Sequence, residues 1–165
     1  MGPPQPPHPA VPGRPCSAAA ALQIVGERWS LLAIRELFYG NHRFDQLTRN
    51  TGAPRDRLAA RLRALEEAGV VERRRYSERP ERFEYHLTAA GRELAPVVWS
   101  LVKWGDKWAV DSQPVAFSHE AARHPEHEVD TVTLCRTCGE QVVSGEVEIT
   151  MLAPGWDRAG TVSDS

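Results

Sequence analysis

The sequence predicts a mainly α-helical domain with a small antiparallel sheet, continued by a β-rich C-terminal extension. Apolar residues recur at spacings of three and four through most of residues 17–110, which is typical of amphipathic helices. Two short segments between residues 70 and 87 are typical of the strands of a hairpin. The composition then changes, because residues 111–165 carry three arginines against ten acidic residues. With 41% apolar and 25% charged residues, wholesale disorder is excluded.

The composition divides the chain into three parts. Residues 1–15 contain seven prolines and are expected to form a disordered tail, since proline can extend neither a helix nor a central strand. Residues 16–110 are expected to form the helical domain, and residues 111–165 the acidic extension. The sequence has no apolar run long enough to span a bilayer and no apolar signal segment, which predicts a cytoplasmic protein without a membrane partner.

Two amphipathic helices are predicted at the start of the domain. Ser17 is the expected N-cap of the first helix, whose apolar face includes Leu22 and Val25. The second helix runs from about residue 29 to residue 39, and the Gly-Asn pair that follows favours a turn.

A short helix, a glycine-containing turn and a longer helix follow. The short helix covers residues 45–50, and the longer one covers residues 54–68 with proline at its first position. Leu58, Leu62 and Leu65 fall on one face of the longer helix. This order predicts a helix-turn-helix unit.

A hairpin and a long helix complete the domain. Strands are predicted over residues 70–76 and 83–87, around a six-residue loop that is rich in arginine. Thr88 is expected to cap a helix over about residues 89–110, in which Pro96 introduces a kink or marks the effective start.

The extension is predicted to contain three strands. They cover residues 129–134, 140–143 and 146–151, and a tight turn over residues 135–139 separates the first two.

Arginine is concentrated in residues 43–82, where eleven arginines stand against seven acidic residues. The second helix of a helix-turn-helix unit fits the major groove, where arginine pairs with guanine or with a phosphate. The sequence therefore predicts a helix-turn-helix followed by an arginine-rich hairpin, with double-stranded DNA as the partner. Arg55 and Arg63 are the candidates for base contact, and Arg79 is the candidate for sequence-independent contact. The full set of candidate DNA-binding residues is Arg43, Pro54, Arg55, Asp56, Arg57, Ala60, Arg61, Arg63, Arg74, Arg75, Arg79 and Arg82.

An alternative interpretation of these arginines is a solvated helix face that pairs with neighbouring glutamates. For any single arginine this is at least as plausible as DNA contact. The order and spacing of the whole set favour DNA binding.

Five motifs occur in order along the chain. They are IVGERW at 24–29, RFDQL at 43–47, LAARLRALEEAGVVERR at 58–74, PERFEYHLT at 80–88 and WGDKW at 104–108. Together, over about 93 of the 165 residues, from Cys16 to Trp108, they resemble the HxlR-type winged helix-turn-helix regulators of bacteria. The resemblance implies a transcriptional regulator that binds a pseudo-palindromic operator as a homodimer.

The resemblance also implies that the N- and C-terminal helices of the domain form the dimer interface. The tryptophans of the long helix make it more apolar than a monomer of this size requires, although core packing of one or two of them is the alternative. A small-molecule effector could bind an apolar cleft that these tryptophans line between subunits. The candidate interface residues are Leu22, Val25, Trp99, Leu101, Trp104 and Trp108.

The three cysteines suggest thiol or metal chemistry. Cys16 occupies the position where some members of the family carry a redox-sensing thiol, and a helix N-terminus favours the thiolate; a packing role is the alternative. Cys135 and Cys138 form half of a zinc knuckle, which His124 and His127 could complete. An earlier cysteine pair is absent, so a metal-free knuckle with no required cofactor is favoured, and a redox dithiol is a third interpretation.

The sequence predicts that the protein is not an enzyme. It shows no Ser-His-Asp arrangement, no paired carboxylates and no phosphate-binding glycine loop. Two alternatives to a plain DNA-binding regulator remain. One is a regulator that responds to redox state or metal through Cys16 or the Cys135/Cys138 pair, and the other is a winged-helix interaction module without DNA binding.

Overall fold

The computed structural model describes residues 13–121 and 124–159, apart from the side chains of residues 120, 121 and 124. The chain forms two compact units, of which the first ends at Val98 and the second begins at Trp99. The division thus falls inside the last long helix, whereas the composition changes after residue 110. In the described ranges, no helix is long and apolar enough to cross a membrane.

Four helices form the first part of the chain in the predicted order. They are α1 (Ser17–Val25), α2 (Arg28–Phe38), α3 (Phe44–Thr51) and α4 (Arg55–Glu67). Two predicted helix starts are wrong by one residue. Cys16, not Ser17, is the N-cap of α1, and Pro54 is the N-cap of α4 rather than its first residue. The φ of Pro54 is compatible with a helix, but its extended ψ of 136° places it just before the first helical turn.

The core of the first unit lies between α2, α3 and α4. Leu58, Leu62 and Leu65 are completely buried, as their spacing predicts, and Ile34 and Leu47 are buried with them. Each such side chain stabilises the fold by about 1.5–3 kcal/mol. The inner face of α4 is therefore fixed against the core, which leaves the opposite face of the helix to the solvent.

A two-stranded antiparallel hairpin follows α4. Its strands are β1 (Val71–Glu78) and β2 (Glu81–Leu87). The predicted six-residue loop is wrong, because pairing continues until only Arg79 and Pro80 remain in the turn. Proline has no backbone N–H to donate to a neighbouring strand. The residues on either side of the turn have this N–H group and pair with each other.

The hairpin base is tied to α5 (Ala89–Arg92). Thr88 caps this helix as predicted, since its Oγ1 accepts from the N–H of Gly91 at 3.2 Å and donates to the carbonyl of Gly69 at 2.6 Å. Gly91 is buried, and a Cβ there would lie 2.2 Å from the carbonyl oxygen of Val70. Only glycine allows this close approach of α5 to the start of the hairpin.

The long helix predicted over residues 89–110 is divided in two. After α5 and a short break, α6 covers Ala95–Trp108. Pro96 lies in the first turn of α6, where its missing N–H leaves no helical hydrogen bond unmade. This confirms the prediction that Pro96 marks the effective start of the helix.

The extension contains strands at positions other than those predicted. β3 (Ser118–Ala121) and β4 (His124–Glu128) pair antiparallel. The strands predicted over residues 129–134, 140–143 and 146–151 are wrong, and a single bridge joins Leu134 and Gln141 there. The side chains of Val147 and Ile149 stay exposed, so the apolar face of this alternation packs on nothing that could hold a strand.

Candidate nucleic-acid interface

The turn between α3 and α4 is held by side-chain hydrogen bonds of Thr51. Its Oγ1 donates to the carbonyl of Leu47 at 2.6 Å and accepts from the N–H of Ala53 at 3.2 Å. Gly52 has a φ of +69°, which glycine adopts without a Cβ clash. These contacts fix the direction in which α4 leaves the turn.

Two arginines of α4 are engaged within the first unit. The Nη1 atom of Arg55 lies 2.8 Å from the Oδ1 atom of Asp45, and its guanidinium lies 4.9 Å from the ring centre of Phe44. Arg61 lies 3.9 Å from the carboxylate of Glu27. Exposed ion pairs of this kind contribute about 0–1 kcal/mol, so a phosphate could replace either carboxylate.

Two other arginines of α4 have no acidic partner. Arg57 and Arg63 are exposed, and neither forms an ion pair with any residue that the structure describes. At about 100° per residue, Ala60 lies between them around the helix and points away from the buried leucines. Asp56 is also exposed. The outward face of α4 thus presents two unpaired positive charges on either side of a small residue.

Two arginines of the hairpin pair locally. Arg74 forms an ion pair and hydrogen bonds with Glu72, and Arg75 lies 3.6 Å from Glu78 and 3.7 Å from Glu81. These exposed pairs place a carboxylate beside each of the two guanidinium groups.

The tip of the hairpin carries unpaired arginines. Arg79 lies in the two-residue turn, which the hydrogen bond from Ser77 Oγ to the Pro80 carbonyl closes at 2.9 Å. Arg79 and the neighbouring Arg82 are exposed and form no ion pair within residues 13–121 or 124–159. The tip is therefore the part of the hairpin best suited to meet a polyanion.

Arg43 connects the helix-turn-helix to the hairpin. Its Nε lies 3.2 Å from the Oε1 atom of Glu84, and its guanidinium lies 4.8 Å from the ring centre of Tyr76. The backbones of Arg43 and Glu84 also form an isolated antiparallel bridge. In this structure Arg43 therefore positions the hairpin relative to α3.

Arg73 was not among the candidates, and its side chain packs on the domain. Its guanidinium lies 4.2 Å from the ring centre of Phe83 and 3.9 Å from the carboxylate of Glu66.

Burial raises the pKa of the nearby Tyr85 phenol, while the positive charge of Arg73 opposes this shift. The Tyr85 phenol is therefore neutral near pH 7 and adds no negative charge beside α4.

Sequence reasoning missed a buried carboxylate behind this surface. Glu36 in α2 is only 3% exposed and accepts hydrogen bonds from Arg35 at 2.7 Å, Asn41 at 2.7 Å and Asn50 at 2.9 Å. The network joins α2 to the following turn and to α3. No periodic spacing connects these residues, so the sequence offered no signal for it.

The candidate dimer residues differ in exposure. Val25 is 7% exposed and offers little surface to a partner. Trp104 and Trp108 are 62% and 65% exposed, which is unusual for tryptophan in a monomeric protein. The exposed candidates are Leu22, Trp99, Leu101, Trp104 and Trp108.

The cysteines lie in two different settings. Cys16 is exposed at the N-cap of α1, where its side chain makes no capping hydrogen bond. Cys135 and Cys138 share a tight turn, in which the N–H of Gly139 donates to the carbonyl of Cys135 at 2.7 Å. Hydrogen bonds from the backbone N–H groups of Cys138 and Thr137 lower the pKa of the Cys135 thiol. The knuckle thus favours a thiolate at Cys135.

Two described histidines of the extension contact each other. The ring of His127 lies 4.4 Å from that of His119, and its Nδ1 is 2.9 Å from the carbonyl of Pro125. The side chain of His124 lies outside the described residues. Among the side chains that the structure describes, no three of His, Cys, Asp or Glu are grouped so that they could hold a metal ion.

The family follows from a comparison of this chain with known proteins. Residues 24–113 match the profile of HxlR-like helix-turn-helix proteins. The chain belongs to the HxlR-like helix-turn-helix family. This confirms the resemblance seen in the five motifs, and it makes the chain a transcriptional regulator of the winged-helix type.

Relatives and solved structures agree with this HxlR-like assignment. An uncharacterized HTH-type transcriptional regulator of Mycobacterium tuberculosis is 44% identical over 133 residues, which cover 79% of this chain and 82% of the relative. The structure of PA1607, described as a candidate transcription factor, has a TM-score of 0.68 at 28% identity and covers 82% of this chain and 94% of its own. The reduced form of the redox regulator HypR has a TM-score of 0.52 at 30% identity, covering 56% of this chain and 92% of its own.

The helices, the small antiparallel sheet and the similar solved structures of this HxlR-like chain confirm the predicted fold class, a winged helix-turn-helix. The family and the names of its relatives indicate a transcriptional regulator, and such regulators are generally not enzymes. DNA is the partner that this family implies.

Proposed function

We propose that the protein binds a pseudo-palindromic operator in double-stranded DNA as a homodimer. The α4 helix would enter the major groove, and the tip of the β1–β2 hairpin would contact the backbone or the minor groove. The observation that carries this proposal is the position of the unpaired arginines. Arg57 and Arg63 flank Ala60 on the outward face of α4, and Arg79 and Arg82 lie at the hairpin tip.

The free arginines suit different parts of a DNA duplex. Arginine on the exposed face of a recognition helix can pair bidentately with guanine O6 and N7. An arginine at a hairpin tip meets phosphates or the minor groove, where it positions the protein without reading sequence. Ala60 would allow α4 to approach the base edges closely.

We expect Arg79→Ala to weaken binding to all DNA sequences about equally. A salt titration should show a log–log slope that is smaller by about 0.9, because one phosphate contact is lost. Promoter-region DNA and an unrelated duplex of equal length serve as the two probes. Arg136→Ala in the extension is the matched control, and a sequence-selective loss with Arg79→Ala would assign this residue to base contact instead.

The dimer is proposed from the exposed tryptophans of α6. Two operator half-sites lie about 34–36 Å apart when one recognition helix enters each, so a two-fold dimer fits a pseudo-palindrome. Trp104 and Trp108 are each more than 60% exposed and would be covered by a second copy.

We expect Trp104→Ala and Trp108→Ala each to weaken dimerisation by about 2 kcal/mol or more, as central aromatic residues of interfaces do. Light scattering over a range of concentrations would measure the shift toward monomer. Trp156→Ala in the extension is the control. A chain that ends at residue 114 is expected to remain dimeric, and a monomer in that case would place the interface in the extension.

A second candidate function is a regulator that responds to thiol oxidation. The arrangement around Cys135 favours it, because its thiolate is stabilised and Cys138 lies in the same turn. Attack of the Cys135 thiolate on a low-molecular-weight disulfide would release one thiol and form a mixed disulfide. Displacement by Cys138 would release the second thiol and leave a Cys135–Cys138 disulfide. HypR is described as a redox regulator, which supports testing this chemistry, and Cys16 is the other candidate thiol.

We expect an oxidising disulfide to release operator DNA if this second function holds, and Cys135→Ser to prevent the release. Mass spectrometry should find the oxidised protein lighter by two thiol hydrogens, and Cys138→Ser should stop at the mixed disulfide. If Cys16→Ser alone prevents release, the sensor is Cys16. Unchanged DNA binding after complete oxidation would exclude thiol control.

Zinc and an effector remain proposals. Structural zinc takes four ligands, and the knuckle supplies two thiols, so zinc would need further ligands from elsewhere. The metal content of the purified protein is the direct test for zinc.

Absence of DNA binding at low salt would favour the alternative of a winged-helix interaction module.

A further inference from the structure

The second unit contains a cavity with a volume of about 520 Å³. Small-molecule sites span about 300–1,000 Å³, so this cavity has a suitable size. One wall is formed by α6 and the other by residues around the β3–β4 hairpin. The lining includes Trp99, Val102, Asp106, Phe117, Glu128 and Val129.

Apolar and aromatic groups form much of the lining. Trp99 and Val102 come from α6, while Phe117 and Val129 come from the segments on either side of the β3–β4 hairpin. Aromatic faces attract cations through the negative potential of their π-systems, in addition to burying apolar area.

Both lysines of the lining are engaged. Lys103 forms an ion pair with Asp130, and its Nζ donates to the carbonyl of Thr131 at 3.1 Å. The Nζ of Lys107 lies 4.9 Å from the ring centre of Trp108, which does not line the cavity. With three carboxylates and two lysines, the lining carries a net charge of −1, and Asp130 is the carboxylate that pairs with a lysine.

Two carboxylates of the lining lack a cation. Glu128 accepts a hydrogen bond from Gln113 Nε2 at 2.9 Å, which is a neutral donor. Asp106 is half-buried and forms neither an ion pair nor a side-chain hydrogen bond with the residues that the structure describes. A half-buried carboxylate beside aromatic rings is a suitable counter-charge for an organic cation.

We infer that this cavity binds a small organic cation with an apolar body. Asp106 and Glu128 supply the negative charge, and Trp99 and Phe117 supply aromatic surface. This inference goes beyond the proposed DNA binding and does not depend on it, since binding is measured on the full chain without DNA.

The test compares two ions of nearly the same shape and opposite charge. Tetraphenylphosphonium and tetraphenylborate are titrated separately into the full-length protein by isothermal calorimetry. We expect the phosphonium to bind at least about tenfold more tightly than the borate, because the uncompensated charge of the cavity is negative. Equal binding, tighter borate binding or binding of neither ion would overturn the inference.

Variants identify the cavity as the binding site. Asp106→Asn is expected to weaken phosphonium binding about tenfold and to leave borate binding unchanged or tighter. Phe117→Ala should weaken phosphonium binding as well, through lost aromatic contact. Glu146→Gln removes an exposed carboxylate of the same unit outside the cavity and should change nothing. A full phosphonium affinity in both Asp106→Asn and Phe117→Ala would place the binding elsewhere and refute the site.

Discussion

Replacing Arg57 and Arg63 together with alanine is expected to weaken operator binding by about 2–6 kcal/mol, since a base-reading arginine contributes about 1–3 kcal/mol. Both side chains project from the outward face of α4 and have no acidic partner in the described part of the chain. They reach DNA without first giving up an ion pair. Fluorescence anisotropy at fixed salt, with operator and unrelated duplexes, measures the loss and its sequence dependence.

The same measurement separates these residues from Arg55. To contact DNA, Arg55 must first break its ion pair with Asp45, whose Oδ1 lies 2.8 Å away. The free energy of that lost pair reduces the net contribution of Arg55 to DNA binding. We therefore expect Arg55→Ala to have a smaller effect than either Arg57→Ala or Arg63→Ala. The matched control is Arg136→Ala/Arg158→Ala, which removes two positive charges from the second unit. If the Arg57/Arg63 double variant binds like the parent protein, α4 is not the recognition helix.

Glu36→Ala is expected to lower the free energy of unfolding by about 3 kcal/mol. The substitution leaves the guanidinium of Arg35 and the side-chain amides of Asn41 and Asn50 without their shared acceptor. The expected loss of stability lies at the low end of the range for breaking a buried ion pair, because the Arg35 side chain is 28% exposed and can be partly rehydrated. Urea unfolding followed by circular dichroism measures the change.

A conservative substitution of Glu36 and a substitution of an exposed glutamate test whether the buried hydrogen-bond network causes the loss of stability. Glu36→Gln keeps the volume and one acceptor oxygen, so its cost should be smaller than that of Glu36→Ala. Glu67→Gln, on the exposed end of α4, should change stability by less than about 0.5 kcal/mol. A cost for Glu36→Ala no greater than that for Glu67→Gln would show that the network does not hold α2 and α3 together.

Local patterns predicted the helix-turn-helix and its wing. The three-four spacing of Leu58, Leu62 and Leu65 predicted a buried face, and all three are completely buried. Thr88 was predicted as a cap and forms the expected hydrogen bond. Such features depend on residues within one or two helical turns, so a single sequence displays them.

The extension shows where local patterns are insufficient. Alternating residues over 129–151 predicted strands, yet β3 and β4 lie before that segment. Alternation produces a strand only when one face packs against another element, and the side chains of Val147 and Ile149 remain exposed. Similarly, the hairpin turn is shorter than predicted, because strand pairing continues to Glu78 and Glu81.

The sequence by itself determined the order of the helices and strands in the helix-turn-helix and its hairpin, the buried face of α4 and the arginine-rich wing, since these follow from spacing along the chain. Tertiary structure decided which charges are free. It paired Arg55 with Asp45 and Arg61 with Glu27, and it left Arg57 and Arg63 without a partner in the described residues. An ion pair depends on distances between side chains that are far apart in sequence, and no spacing rule along one chain contains those distances.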